Sequence, residues 1–73
     1  MKKRTDEISI ICRRIKEARI RSDWSLSDVE NWTGIHRGTL SHYENGRIPR
    51  ADRITELAAG LRVSREWLLG GEA

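Results

Sequence analysis

Three side chains invite a search for catalysis: Cys12, His36 and His42. Six residues separate the histidines, about 240° around a helix, so their rings do not converge. Cys12 shares an apolar spacing with Ile11 and Ile15 and reads as an inert core thiol. The histidine and cysteine spacings fit no metal site. No enzyme, metal or cofactor is expected. Hydrogen-bonding chemistry has better support between Arg37 and Asn45. If Leu40 and Tyr43 face inward on a helix, the outward stripe is Arg37, Gly38, Ser41, His42 and Asn45. Arg37 could donate two hydrogen bonds to a guanine edge, and Ser41 and His42 could address base edges or phosphates. Gly38 would let a backbone approach closely, at a cost of about 1 kcal/mol of helix stability relative to alanine. A plain solvated face has the same composition, so the stripe gains meaning only from the elements around it.

Those elements read as five short helices. From Asp6 to about Ser22, Ile8, Ile11, Cys12, Ile15 and Ala18 recur at three and four residues. Thr5 or Asp6 is the expected cap. Arg19 continues that apolar stripe and needs a carboxylate partner there. Ser25 with Asp28 forms a capping-box-like start. A second helix follows through Val29 and stops at Gly34. Ile35 and His36 complete a tight turn, and a third helix runs from about Arg37 to Asn45-Gly46. Pro49 places a loop at residues 47–50. Ile54, Leu57, Ala58 and Leu61 mark a fourth helix, and Ser64 caps a last one holding Trp67 and Leu68. No segment alternates like a strand. Residues 1–6 read as a basic arm, and residues 70–73 as a disordered end.

The 73 residues make one domain, 1–73, with 37% hydrophobic and 34% charged residues. A chain this short buries only roughly 60% of its unfolded surface, which leaves little room for an enzyme cleft. One cysteine suits a reducing cytoplasm, and the sequence offers no membrane span or secretory signal core. The net charge of +3 is unevenly spread. Residues 1–21 carry eight Lys or Arg against three Asp or Glu, whereas residues 22–46 carry one against four. The ends would attract a polyanion. The middle, which holds the polar stripe, would not.

Two short helices joined by a tight turn containing glycine make a helix-turn-helix, here at residues 25–46. The B-DNA major groove accepts one α-helix, and a second helix crossing the first leaves that helix prominent. The run W-S-L-S-D-V-E-N-W-T-G-I-H-R-G-T-L-S-H-Y-E-N-G-R-I-P resembles the Cro and phage-repressor class of regulators, the xenobiotic-response-element family. The later A-D-R-I-T-E-L-A-A-G-L-R-V-S-R-E-W-L-L-G-G resembles that family's last two helices. The resemblance implies an all-α, five-helix, lambda-repressor-like fold and a sequence-specific transcriptional regulator, a repressor, bound to double-stranded DNA. It places Arg37, Gly38, Ser41 and His42 where bases are read. It places Asn45, Arg47 and Arg50 near phosphates, with Thr39 expected beside them. Arg19 and Glu44 match a structural salt bridge.

Several positions depart from the family pattern. Leu26 stands where a phosphate-binding glutamine is common. Ser25 or Ser27, at the positive end of the second helix, is expected to substitute. Glu30 stands where alanine is usual and must find a partner or bend outward. His36 stands at a cap usually held by serine or threonine, and Arg50 where serine is common before the fourth helix.

Operators of this kind have two half-sites, so a homodimer is expected on DNA. Its surface would include Arg62, Val63, Arg65, Glu66 and Trp67. Two Arg65 side chains near a two-fold axis would repel, so the dimer is expected to be weak or DNA-induced. No small-molecule ligand is indicated. A complete small regulator and the N-terminal piece of a longer repressor both fit. The rival reading is a protein-binding module on the same fold, antitoxin-like or adaptor, with Trp32 exposed as its contact.

Overall fold

Local capping explains where each helix begins. A computed structural model describes residues 9–71 as five helices, and no strand occurs among the described residues. Helix α1 is Ile10–Arg21, and the Ser9 hydroxyl accepts the Ile11 N–H at 3.1 Å. The helix thus starts later than the sequence pattern suggested. The expected caps Thr5 and Asp6, with Ile8 and the basic arm, lie outside the described residues. Helix α2 is Leu26–Thr33. Its capping box is complete: Ser25 Oγ accepts Asp28 N–H at 3.0 Å, and Asp28 Oδ2 accepts Ser25 N–H at 2.8 Å. Helix α3 is Arg37–Glu44, α4 is Ala51–Leu61 and α5 is Arg65–Leu68.

The α2–α3 turn is built from three side chains. Gly34, at φ 79°, takes the left-handed conformation that other residues resist. Thr33 Oγ1 donates to the Val29 carbonyl at 2.8 Å and accepts the Ile35 N–H at 3.1 Å. Ile35 is buried in the core. His36 corrects the expectation of a weak cap. Its Nδ1 accepts the Gly38 N–H at 2.9 Å, so the neutral imidazole caps α3. Gly38 also takes on a different meaning. A Cβ there would sit 3.0 Å from His36 Nδ1 and 3.2 Å from Cε1, so the glycine leaves room for the capping ring.

Four of the five described helices end in the same way. An N–H just past the helix end bonds a carbonyl five residues back: Trp24 to Arg19, Arg47 to His42, Val63 to Ala58 and Gly71 to Glu66. The residue before each donor has positive φ, namely Asp23, Gly46, Arg62 and Gly70. The sharp reversals keep the linkers short.

All five helices contribute to one core, whose fully buried side chains include Ile15, Val29, Ile35, Leu40, Leu57 and Leu68. Trp24 and Trp67 are half-buried and pack against it. Helices α2 and α4 approach closely at Gly60. A Cβ on Gly60 would lie 2.3 Å from Thr33 Cγ2. Thr33 cannot rotate away without losing its bonds to Val29 and Ile35. The short α5 is held from α1. Arg14 Nη1 donates to the Trp67 carbonyl and, at 2.6 Å, to the Gly71 carbonyl, and its guanidinium lies 4.7 Å from the Trp67 ring centroid. Gly70 and Gly71 also donate backbone bonds to the Trp67 and Glu66 carbonyls, and residues 72–73 of the expected disordered end lie outside the described residues.

Two substitutions probe this packing. Gly60→Ala should lower stability by roughly 1–3 kcal/mol through overpacking, although alanine gains about 1 kcal/mol in helix propensity. A rise in the urea midpoint would show that α2 and α4 are not in close contact. His36→Ala should cost about 1 kcal/mol, whereas His36→Ser should restore a cap. Equal midpoints for the two variants would remove the capping role.

Candidate nucleic-acid interface

Helix α3 is fixed at both ends, which leaves one side of it outward. Leu40 and Tyr43 are buried. At its far end Glu44 takes a two-pronged ion pair from α1: Arg19 Nε to Oε2 at 2.7 Å and Nη2 to Oε1 at 3.0 Å. Arg19 Nη1 also donates to the Trp24 carbonyl at 2.9 Å. The two side chains are only 16% and 7% exposed. Hydrogen bonding to Glu44 holds the Arg19 guanidinium above its ordinary pKa. This pair gives Arg19 its carboxylate and leaves both groups unavailable to an outside ligand.

On the outward side, Arg37, His42 and Asn45 are exposed, and Gly38 and Ser41 are half-buried. These five residues share one face of α3. Asn45 Nδ2 turns back to the Ser41 carbonyl at 2.7 Å. Arg37 Nη1 reaches α2, donating to Glu30 Oε1 at 3.2 Å and to Ser27 Oγ at 3.4 Å. Glu30 has thus found its partner in Arg37.

Beside this face lies a pocket of about 260 Å³ lined by Thr39, Tyr43, Arg47, Ile48, Pro49, Arg50 and Arg53. It gathers three residues that the resemblance linked to phosphate (Thr39, Arg47 and Arg50) and adds Arg53. The sequence carried a signal for Arg53. It lies three residues beyond Arg50, on the same side of the first turn of α4. Arg50 N-caps α4 without a side-chain bond, and Asp52 Oδ1 accepts the Arg53 N–H at 2.9 Å. The ion pairs Arg50–Asp52 at 3.3 Å and Arg53–Glu56 at 3.0 Å lie on the surface and hold their cations only weakly. A second, open groove of about 570 Å³ brings Arg13 and Lys16 of α1 beside Asn45.

The start of α2 is less open to an anion. The Ser25 hydroxyl caps the helix, and the Asp28 carboxylate already lies at that positive end. Three of the four carboxylates in the acidic middle are engaged: Asp28 by the cap, Glu30 by Arg37 and Glu44 by Arg19. The acidity that the sequence set against a polyanion is therefore largely matched by local donors.

The remaining named residues lie elsewhere. Arg62, Val63, Arg65, Glu66 and Trp67 occupy the α4–α5 joint. Arg65 Nε folds back onto Thr55 Oγ1 at 2.9 Å, Val63 packs on the core, and Trp67 lies beneath Arg14 and Arg21. Trp32 is 50% exposed, with its ring 6.0 Å from that of Trp24. Cys12 is fully buried, where its thiol donates to the Arg47 carbonyl at 3.4 Å and burial raises its pKa. No helix among the described residues is long and apolar enough to cross a membrane.

Compared with known families, residues 15–68 match the helix-turn-helix family, a span that runs from the middle of α1 through α5. With two crossed helices, a left-handed glycine between them and a match over most of its length, the chain is a member of the helix-turn-helix family of DNA-binding regulators, of the Cro and repressor type.

Proposed function

We propose that the chain is a sequence-specific repressor of transcription that binds double-stranded DNA as a dimer on two half-sites. Helix α3 enters the major groove, and Arg37, Gly38, Ser41 and His42 read base edges. Asn45, Thr39, Arg47 and Arg50 hold flanking phosphates, with Ser25 and Ser27 at the start of α2 as further contacts. The observation that carries this reading is the adjacency of two surfaces. A polar face free of large apolar groups adjoins a pocket rimmed by Arg47, Arg50 and Arg53. The first can discriminate, and the second supplies attraction that every sequence shares. The exposed pairs around Arg50 and Arg53 exchange a carboxylate for a phosphate at little cost.

The dimer forms through the α4–α5 joint and is weak without DNA. Arg65 bonded to Thr55 and Trp67 covered by two arginines leave little apolar surface for a stable interface there. The regulator works in the cytoplasm, where Cys12 stays reduced. A protein-binding role is the second reading, favoured by the half-exposed Trp32, whose ring lies tilted beside that of Trp24.

Selection from random-sequence duplexes separates the two readings. An enriched palindrome is the expected outcome, and a library that returns unenriched would transfer the weight to the Trp32 surface. Against the enriched duplex, Arg37→Ala should lose roughly 1–3 kcal/mol and relax one base position. Equal loss on all sequences would make Arg37 a phosphate contact.

A further inference from the structure

We propose that Glu30 is a positioning residue for base recognition, a brace on α2 that orients Arg37 and suppresses its attraction to phosphate. The proposal rests on the reading of α3 as the recognition helix. Arg37 is the first residue of α3 and its side chain is 59% exposed. A long side chain in that position is free to sample many rotamers and to pair with any phosphate within reach. Instead its Nη1 has two acceptors on the preceding helix, Glu30 Oε1 at 3.2 Å and Ser27 Oγ at 3.4 Å. Glu30 is 30% exposed, so the acceptor is held more firmly than the group it orients.

The donor count makes this a brace rather than a block. A guanidinium carries five N–H groups. Glu30 and Ser27 take the two on Nη1, and three remain on Nη2 and Nε. A guanine edge needs two. Arg37 can therefore read a base while still attached to α2. Phosphate attraction is affected differently. It depends on net charge, and the Glu30 carboxylate offsets that charge at every site alike. The charge of the pair therefore lowers affinity for all DNA alike, and the gap between specific and unspecific sites comes from the fixed orientation of the remaining Arg37 donors. Its surface exposure means that it adds little to folding stability. The carboxylate at this position is then better explained by recognition than by the fold.

The test compares the full chain with Glu30→Gln, Glu30→Ala and Arg37→Ala variants. Each is selected on random-sequence duplexes and then titrated against the enriched and a scrambled duplex. Thermal melts establish that each variant is folded. Glu30→Ala should bind the scrambled duplex more tightly and lose about fivefold in discrimination at the base pair that Arg37→Ala relaxes. Glu30→Gln keeps an acceptor and removes the charge. It should gain the same unspecific affinity and retain most of the discrimination. Wild-type discrimination in Glu30→Ala, with Arg37→Ala still relaxing its base, overturns the brace and leaves the recognition helix intact. A uniform gain in affinity with unchanged discrimination reduces Glu30 to a charge and overturns the positioning role. If Arg37→Ala relaxes no base, the recognition reading and the brace fall together.

Discussion

The orientation of α3 depends on one ion pair that water hardly reaches. Arg19 sits where the apolar stripe of α1 calls for a hydrophobic side chain, and Glu44 is the last residue of α3. Neither could be buried alone, because an unpaired charge in that position costs several kcal/mol. Together they form two parallel bonds, and a third joins Arg19 to the Trp24 carbonyl. The geometry is directional in a way that apolar packing is not. It fixes the distance of the α3 C-terminus from α1 and the path of the chain entering α2. At the other end of α3, Ile35 in the core and the His36 cap set the start. A helix of eight residues would not persist in isolation. Here both ends are anchored by groups that lie off its outward face, which is how a short helix can present polar side chains without relying on them for stability.

Charge is arranged around the same helix in layers. The innermost pair is structural. The pair between Glu30 and Arg37 joins two helices at the surface. The outermost pairs, at Arg50 and Arg53, are local to α4 and readily exchanged. The Arg19–Glu44 pair is the most buried of these, and breaking it costs more than breaking any of the surface pairs. Arg50 and Arg53, held only by exposed pairs, border the pocket beside α3.

Much of this was legible in the sequence, because capping and apolar spacing are local codes. Ser25 with Asp28, Gly34, Asn45-Gly46 and Ser64 marked real helix ends, and Leu40 with Tyr43 correctly divided α3 into an inner and an outer side. Features that depend on contacts between distant residues were not legible. Gly60 looks like a mild defect in α4 until Thr33 is found against it. Gly38 suggested an approaching ligand, but the neighbour it accommodates is the His36 ring. His36 itself was undervalued, because cap preferences describe averages and not the acceptor capacity of Nδ1 in a neutral ring. The bond from Arg14 to the Gly71 carbonyl was not legible either, since the two lie more than fifty residues apart.

That separation has a kinetic side. The helix caps and the five-residue chain reversals close within a few residues, at small entropic cost and on fast timescales. The α2–α3 turn is of this local kind, so the helix-turn-helix can assemble early. The seating of α5 requires Arg14 to meet Trp67 and Gly71 across almost the whole chain. A loop of that length is the costliest to close and brings the least structure with it. By this reasoning the turn is expected to close ahead of the α5 contacts, and local opening to begin at α5.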